Sequence, residues 1–185
     1  MILTDREIQI ALRTHQITID PEPAKVAYSS TSVDLTLDGH IALFDTGKQY
    51  IRKVIDPTHE AFDVEEALKE IARQFDIDPQ NGFDLPAKAF ILGWSVEYIK
   101  IPAESRLAAR VEGKSSLARL GIGVHVTAPT IHAGFDGQVR LEIINHGYFP
   151  ATLKPGMRIC QLIFEQTLGT PVKGYEGRFS GQRST

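Results

Sequence analysis

Two periodicities divide the chain. Near the start, Ile8, Ile10, Ala11 and Leu12 follow helical spacing behind Thr4-x-x-Glu7, a capping-box pattern, and predict a short helix over residues 5–14. Ile17 and Ile19 alternate with Thr18 and Asp20 as a strand, which Pro21 and Pro23 end. From Ser32 to Leu37 the period is two, with Val33, Leu35 and Leu37 opposed to Ser32, Asp34 and Thr36, as in a half-buried strand. Residues 41–44 and 50–55 read as further short strands. Helical spacing returns in Val64, Ala67, Leu68, Ile71, Ala72 and Phe75, behind a second capping pattern, Asp63-x-x-Glu66. This helix interrupts a strand-rich chain and is expected to be an insertion on the scaffold. Residues 76–86 read as a loop, its acids solvated turn residues rather than a metal site, because no compact ligand spacing emerges.

From Ala89 on, short apolar runs alternate with glycine and proline. They predict strands over residues 90–96, 99–102, 107–111, 124–127, 139–145, 151–153 and 159–165. Many short strands so punctuated argue for a β-barrel or sandwich. No internal repeat appears. The last stretch, 174–185, has three glycines and little apolar content, and by itself predicts a flexible tail.

Composition narrows the function. One domain of 185 residues has length enough for a real core. A formal net charge of -3 disfavours a nucleic-acid polymer as partner but leaves room for a local positive patch that takes a free nucleotide. Cys160 is the single cysteine, so an intramolecular disulfide and a cysteine-based metal cluster are excluded. Its apolar run, Ile159 to Phe164, predicts buried filler. The N-terminus carries no signal-peptide pattern, and no apolar run is long enough for a transmembrane helix, so no membrane role is expected. These features fit a cytoplasmic, reducing compartment.

Chemistry concentrates between Arg110 and Gly147. In Gly113-Lys114-Ser115-Ser116, Ser115 is placed to cap a short helical turn that Gly121 ends. Lys114, Arg119, the two hydroxyls and the turn's backbone amides are groups a triphosphate needs. The P-loop spacing G-x-x-x-x-G-K-[ST] fails, and a capped surface helix with a solvated lysine fits the same residues. On Gln138 to Ile143, Val139, Leu141 and Ile143 face one side, and Gln138, Arg140 and Glu142 the other. Glu142 is thus either a general base or half of a cross-strand ion pair. Asp34 is either a catalytic acid or, preferably, a structural acid that accepts from backbone or an arginine. His125, His132 and His146 lie seven and fourteen residues apart, with no H-x-E or P-C-x-x-C, so the zinc-deaminase signature is absent.

In order, Lys114-Ser115-Ser116-Leu117-Ala118-Arg119-Leu120-Gly121, Val124-His125-Val126-Thr127-Ala128, Gly134-Phe135-x-Gly137 and Leu141-Glu142 closely resemble the dCTP deaminase family of the dUTPase-like superfamily. Ser32 to Leu37 looks like that superfamily's first motif, Pro155 to Leu162 like its fourth, and Gly181-Gln182-Arg183 like the closing segment of the deaminases. The resemblance spans residues 1–182. It implies a mainly β, distorted jelly-roll or barrel of the dUTPase-like type, with a short N-terminal helix and one inserted helix, as a single domain over 1–185. It also implies a homotrimer with sites between subunits, magnesium held through the triphosphate and no zinc.

The activity implied is deamination of dCTP to dUTP and ammonia, supplying dUTP for thymidylate synthesis. The alternatives are a dUTP pyrophosphatase, or a bifunctional enzyme that goes on to dUMP. A non-catalytic dNTP sensor is a further reading. dTTP is a possible inhibitor by the same resemblance. Carried over by position, Glu142 matches the acid that deprotonates the attacking water, and Ser115 and Arg119 match residues around the attacked region and the phosphates. Lys114 stands where an arginine is usual, which keeps charge but loses a bidentate fork. The remaining expected nucleotide-binding positions are Ser116, Val126, Thr127, Ala128, His132, Arg140 and Leu141, with Tyr175, Arg178 and Gln182 on a C-terminal lid, 174–185, that folds over nucleotide. One departure stands out. Ten residues before the glutamate, where dUTP-hydrolysing relatives place an aspartate, this chain has His132, which weighs against dUTP hydrolysis.

Overall fold

The computed structural model describes residues 1–44, 54–173 and 181–184. The elements run, in chain order, α1 (Asp5–Arg13), β1 (Thr18–Asp20), β2 (Tyr28–Ser29), β3 (Ser32–Thr36), β4 (His40–Phe44), α2 (Val64–Ile71), β5 (Ala72–Asp76), β6 (Phe83–Leu85), β7 (Phe90–Lys100), β8 (Leu107–Gly113), α3 (Ser115–Ala118), β9 (Ile122–Gly123), β10 (Thr130–Ile131), β11 (Asp136–Asn145), β12 (Ala151–Leu153) and β13 (Arg158–Gln166). One sheet has the order β5-β4-β7-β11-β9, with β1 also paired to β7. A second has the order β10-β8-β13-β3-β2, and β12 pairs with β6 alone. Inward side chains of both large sheets join one core cluster, from Val33 and Leu35 through Ile91 and Ile99 to Leu141, Ile143, Leu162 and Phe164. The molecule is mainly β, as expected.

The period-two reading holds on β11 but not on β3, which is buried on both faces. Ser32 and Asp34 are as enclosed as Val33 and Leu35, because Gln161 meets the Ser32 hydroxyl and Lys114 and Arg158 meet Asp34. On β11, Val139, Leu141 and Ile143 are buried and their neighbours are half-buried. Elsewhere tertiary partners redraw the boundaries. The strands expected over 90–96 and 99–102 are one eleven-residue strand, β7. The apolar signal lapses because Ser95 and Glu97 point inward, and both are satisfied there. The Ser95 hydroxyl donates to Glu97 O at 2.8 Å and accepts from Val139 N at 3.0 Å, and the Glu97 carboxylate accepts from Thr36 N at 2.9 Å and from the Thr36 hydroxyl at 2.8 Å.

The inserted helix is shorter than its spacing suggests. Asp63 caps it as expected, accepting from Glu65 N at 2.9 Å and Glu66 N at 3.1 Å, but Ala72 is already extended. The chain passes straight into β5, where Phe75 pairs with Ile41 and its ring meets Phe83 at 5.4 Å. Pairing with β4 thus overrides the helical pattern at Ala72 and Phe75. Within the expected loop at 76–86, Asp78 is a turn acid, accepting from Gln80 N and Asn81 N at 2.8 Å each, but Phe83–Leu85 forms a strand that buries Leu85 against β12. Thr4 does not cap α1 with its side chain, because its hydroxyl donates to the Glu7 carboxylate instead. The strand expected over 50–55 lies largely outside the described residues. Cys160 is fully buried in β13, and burial, with Glu97 and Asp34 nearby, pushes its thiol well above the ordinary range. Among the described residues no helix is long and apolar enough to cross a membrane.

Candidate active site

The Gly-Lys-Ser-Ser segment leaves β8 and turns into α3. Lys114, with extended backbone, occupies the capping position, and Ser115 is the first helical residue rather than the cap expected from the sequence. Ala118 N donates to Lys114 O at 2.9 Å, which leaves the Ser115 and Ser116 side chains on the exposed side of the turn together with Arg119. Gly121 ends the turn at φ +90, as its position predicts. Here glycine is required twice over. A Cβ at Gly121 would lie 2.5 Å from Gly147 N, so the end of α3 sits directly against the chain leaving β11. His146 N donates to Gly121 O at 2.7 Å across this contact, and buried Asn145 accepts from Gly147 N at 2.9 Å. These contacts tie the hydroxyl- and cation-bearing turn to the strand that carries Glu142.

Glu142 stands half-exposed on the polar face of β11. Its backbone N–H donates to Val124 O at 3.2 Å, and its carboxylate accepts from Val126 N at 2.7 Å. The strand expected over 124–127 is therefore irregular chain, bound to Glu142 instead of to a ladder, with Val126, Thr127 and Ala128 exposed beside the carboxylate. The neighbour of Glu142 on that face, Arg140, is paired elsewhere. Arg140 reaches the other way, to Glu65 of α2 at 3.2 Å and over the Trp94 ring at 4.9 Å, which anchors the inserted helix to β11. Leu141, expected among the nucleotide-binding residues, has its side chain in the core, so only its backbone is available to a ligand.

Lys114 is placed differently from a phosphate-seeking lysine. Its ammonium lies 2.5 Å from Asp34, which is only 3% exposed and also meets Arg158 at 3.2 Å. Asp34 is thereby the structural acid preferred from the sequence, with a lysine added to the expected arginine. His132 is exposed just beyond β10, its carbonyl accepting from Phe135 N at 3.1 Å. Among the described residues no three His, Cys, Asp or Glu side chains come together as a group that could hold a metal ion, and His125 approaches Glu112 at 4.0 Å. Tyr175 and Arg178 lie outside the described residues. Gln182 lies against Gln138 of β11, a residue missed by sequence reasoning although its place on the polar face with Arg140 and Glu142 was visible.

The fold is shared with a solved deaminase of a nucleoside triphosphate. The solved 2'-deoxycytidine 5'-triphosphate deaminase of Agrobacterium tumefaciens superposes with a TM-score of 0.67 at 23% identity, covering 89% of this chain and about half (48%) of that one. The dCTP deaminase-like family model matches residues 2–167, and the chain belongs to the dCTP deaminase family. A Methanobrevibacter smithii protein named "dCTP deaminase, dUMP-forming" is 38% identical over 173 residues, 93% of this chain and 83% of its own. A Rhodospirillum rubrum protein named "dCTP deaminase" is 35% identical over 176 residues, 95% of this chain and 87% of its own.

Proposed function

We propose that this chain deaminates dCTP and carries the product on to dUMP. The observation that supports the first step is the setting of Glu142. Its carboxylate is accessible, fixed by the Val126 amide at 2.7 Å, and next to an exposed segment, 126–128, whose backbone groups can read the edge of a pyrimidine. Glu142 takes a proton from water and passes it to N3 as the hydroxide adds to C4 of cytosine; it then takes the proton of the new C4 hydroxyl and passes it to the departing amine, giving dUTP and ammonia. Ser115 and Arg119 face the reacting region and the phosphates, with Ser116 as a further donor. Because Lys114 is held by Asp34, Arg119 is the cation of this turn that is best placed for phosphate. Magnesium, held through the nucleotide, would offset the charge of the triphosphate. The working assembly is a homotrimer, with Gln182 and the lid closing on nucleotide and dTTP competing for the same site.

The second step, water attack on dUTP with release of pyrophosphate, is supported by relatives such as the M. smithii protein, named as dUMP-forming. One observation favours stopping at dUTP. His132 stands where the resemblance places the aspartate of the hydrolysing relatives, and an imidazole lacks the fixed negative charge of a carboxylate that would suit a magnesium-bound water. Chromatography after incubation with dCTP and magnesium, and separately with dUTP, decides. Ammonia with dUMP and pyrophosphate is the expected result. Ammonia with dUTP alone removes the second step, and tight dCTP binding with no product makes the chain a sensor.

A further inference from the structure

Residues 181–184 are seated on the strand that carries Glu142, and the seat is built for them. Gly181 N donates to Asp136 O at 2.7 Å, Gln138 N to Gln182 O at 3.0 Å, and the Gln182 side-chain amide to Gln138 O at 2.9 Å. Ser184 N donates to the Gln138 side-chain oxygen at 2.7 Å, and the Ser184 hydroxyl lies 3.1 Å from the same oxygen and 3.2 Å from Asp38. The Arg183 guanidinium lies over the Tyr98 ring at 4.8 Å.

Two features of β11 make room for this segment. A Cβ on Gly137 would stand 3.1 Å from Gln182 O and 3.2 Å from Gln182 N, so glycine there admits a backbone that a side chain would crowd. The β11–β7 pairing shifts register between Gln138 and Arg140, and the Ser95 hydroxyl takes up the Val139 N–H that the ladder leaves over. Gln138 at this bulge donates its side-chain N–H groups to Ser95 O at 2.9 Å and Val96 O at 3.3 Å. With the nitrogen so committed, the side-chain oxygen faces Ser184.

We propose that Gln138 is a positioning residue: it clamps residues 181–184 on the edge of β11 before nucleotide arrives and so presents Gln182 on the strand that carries Glu142. This rests on the deaminase reading for its consequence, though not for its geometry. Ordering the segment in advance raises the fraction of protein competent to bind, and apparent affinity scales with that fraction.

The test uses the full chain, Gln138→Ala and Gly137→Ala variants, and a chain ending at Ser180 with and without Gln138→Ala, all checked for unchanged melting. Hydrogen exchange at residues 181–184 without nucleotide should speed up about tenfold or more in both point variants. KM for dCTP should rise about tenfold in Gln138→Ala, with a smaller change in kcat, and the same substitution should add nothing in the shortened chain. Unchanged exchange at 181–184, or an equal effect of Gln138→Ala in the full and shortened chains, overturns the proposal. A chain that releases no ammonia would end the deaminase reading alone, and the exchange measurement with equilibrium dCTP binding would still decide the clamp.

Discussion

The Lys114 ammonium lies 2.5 Å from the Asp34 carboxylate, joining the turn before α3 to β3 of the second sheet across 80 residues of sequence. Asp34 is 3% exposed and its other oxygen meets Arg158, so both cations depend on a buried charge. Asp34→Ala removes that charge and leaves Lys114, whose side chain is 23% exposed, unpaired. The expected cost is about 3 kcal/mol, read as a lower urea midpoint at unchanged slope. By the same geometry Lys114→Met should lower stability more than it changes KM for dCTP.

Glu142→Gln keeps an oxygen that can accept from Val126 N but removes the carboxylate proposed as the base. Ammonia release from dCTP should fall by roughly 10²- to 10⁴-fold, with melting and dCTP binding preserved. Retained turnover would place the proton transfer elsewhere.

Ser95→Ala deletes the hydroxyl that bonds both Val139 N and Glu97 O in the core. It should destabilise the protein by about 1–3 kcal/mol, since a buried N–H at the β11 bulge is left without its acceptor. Denaturant titration measures the loss.

Glu97 gives a pH signature. Burial raises its pKa above the ordinary 4.5, and the two bonds from Thr36 only partly oppose the shift. A raised folded-state pKa means that the contribution is fully present below the ordinary value and is lost as pH rises through the folded one. Glu97→Gln should flatten this decline, so that it loses less stability than the parent protein between acidic and neutral pH. Melting curves across that range check the sign.

Gly121→Ala forces a side chain into left-handed backbone and against Gly147 N. The expected cost is at least about 2 kcal/mol, with activity falling further if the displaced turn moves Ser115 and Arg119, the residues proposed to serve the nucleotide. Urea unfolding and ammonia release, measured together, separate the two effects.

Much of the molecule was legible in the amino-acid order because its signals are local. The alternation in β11, the start of α1, the cap at Asp63 and the stop at Gly121 each depend on residues a few positions apart, where backbone geometry alone relates side chains. So does the placing of Glu142 on a polar face opposite Val139, Leu141 and Ile143. The sequence of motifs carried the family. What only the tertiary structure decided involves partners far along the chain. A strand continues through Ser95 and Glu97 because Val139 and Thr36 meet their polar groups. A helix stops at Ile71 because β4 claims the next residues. Lys114 faces Asp34 rather than open solvent, and Gln138 holds the chain's own end. Hydrogen bonds and ion pairs of this kind have no period in sequence, since what makes a buried polar group tolerable is the particular atom that folding brings opposite it.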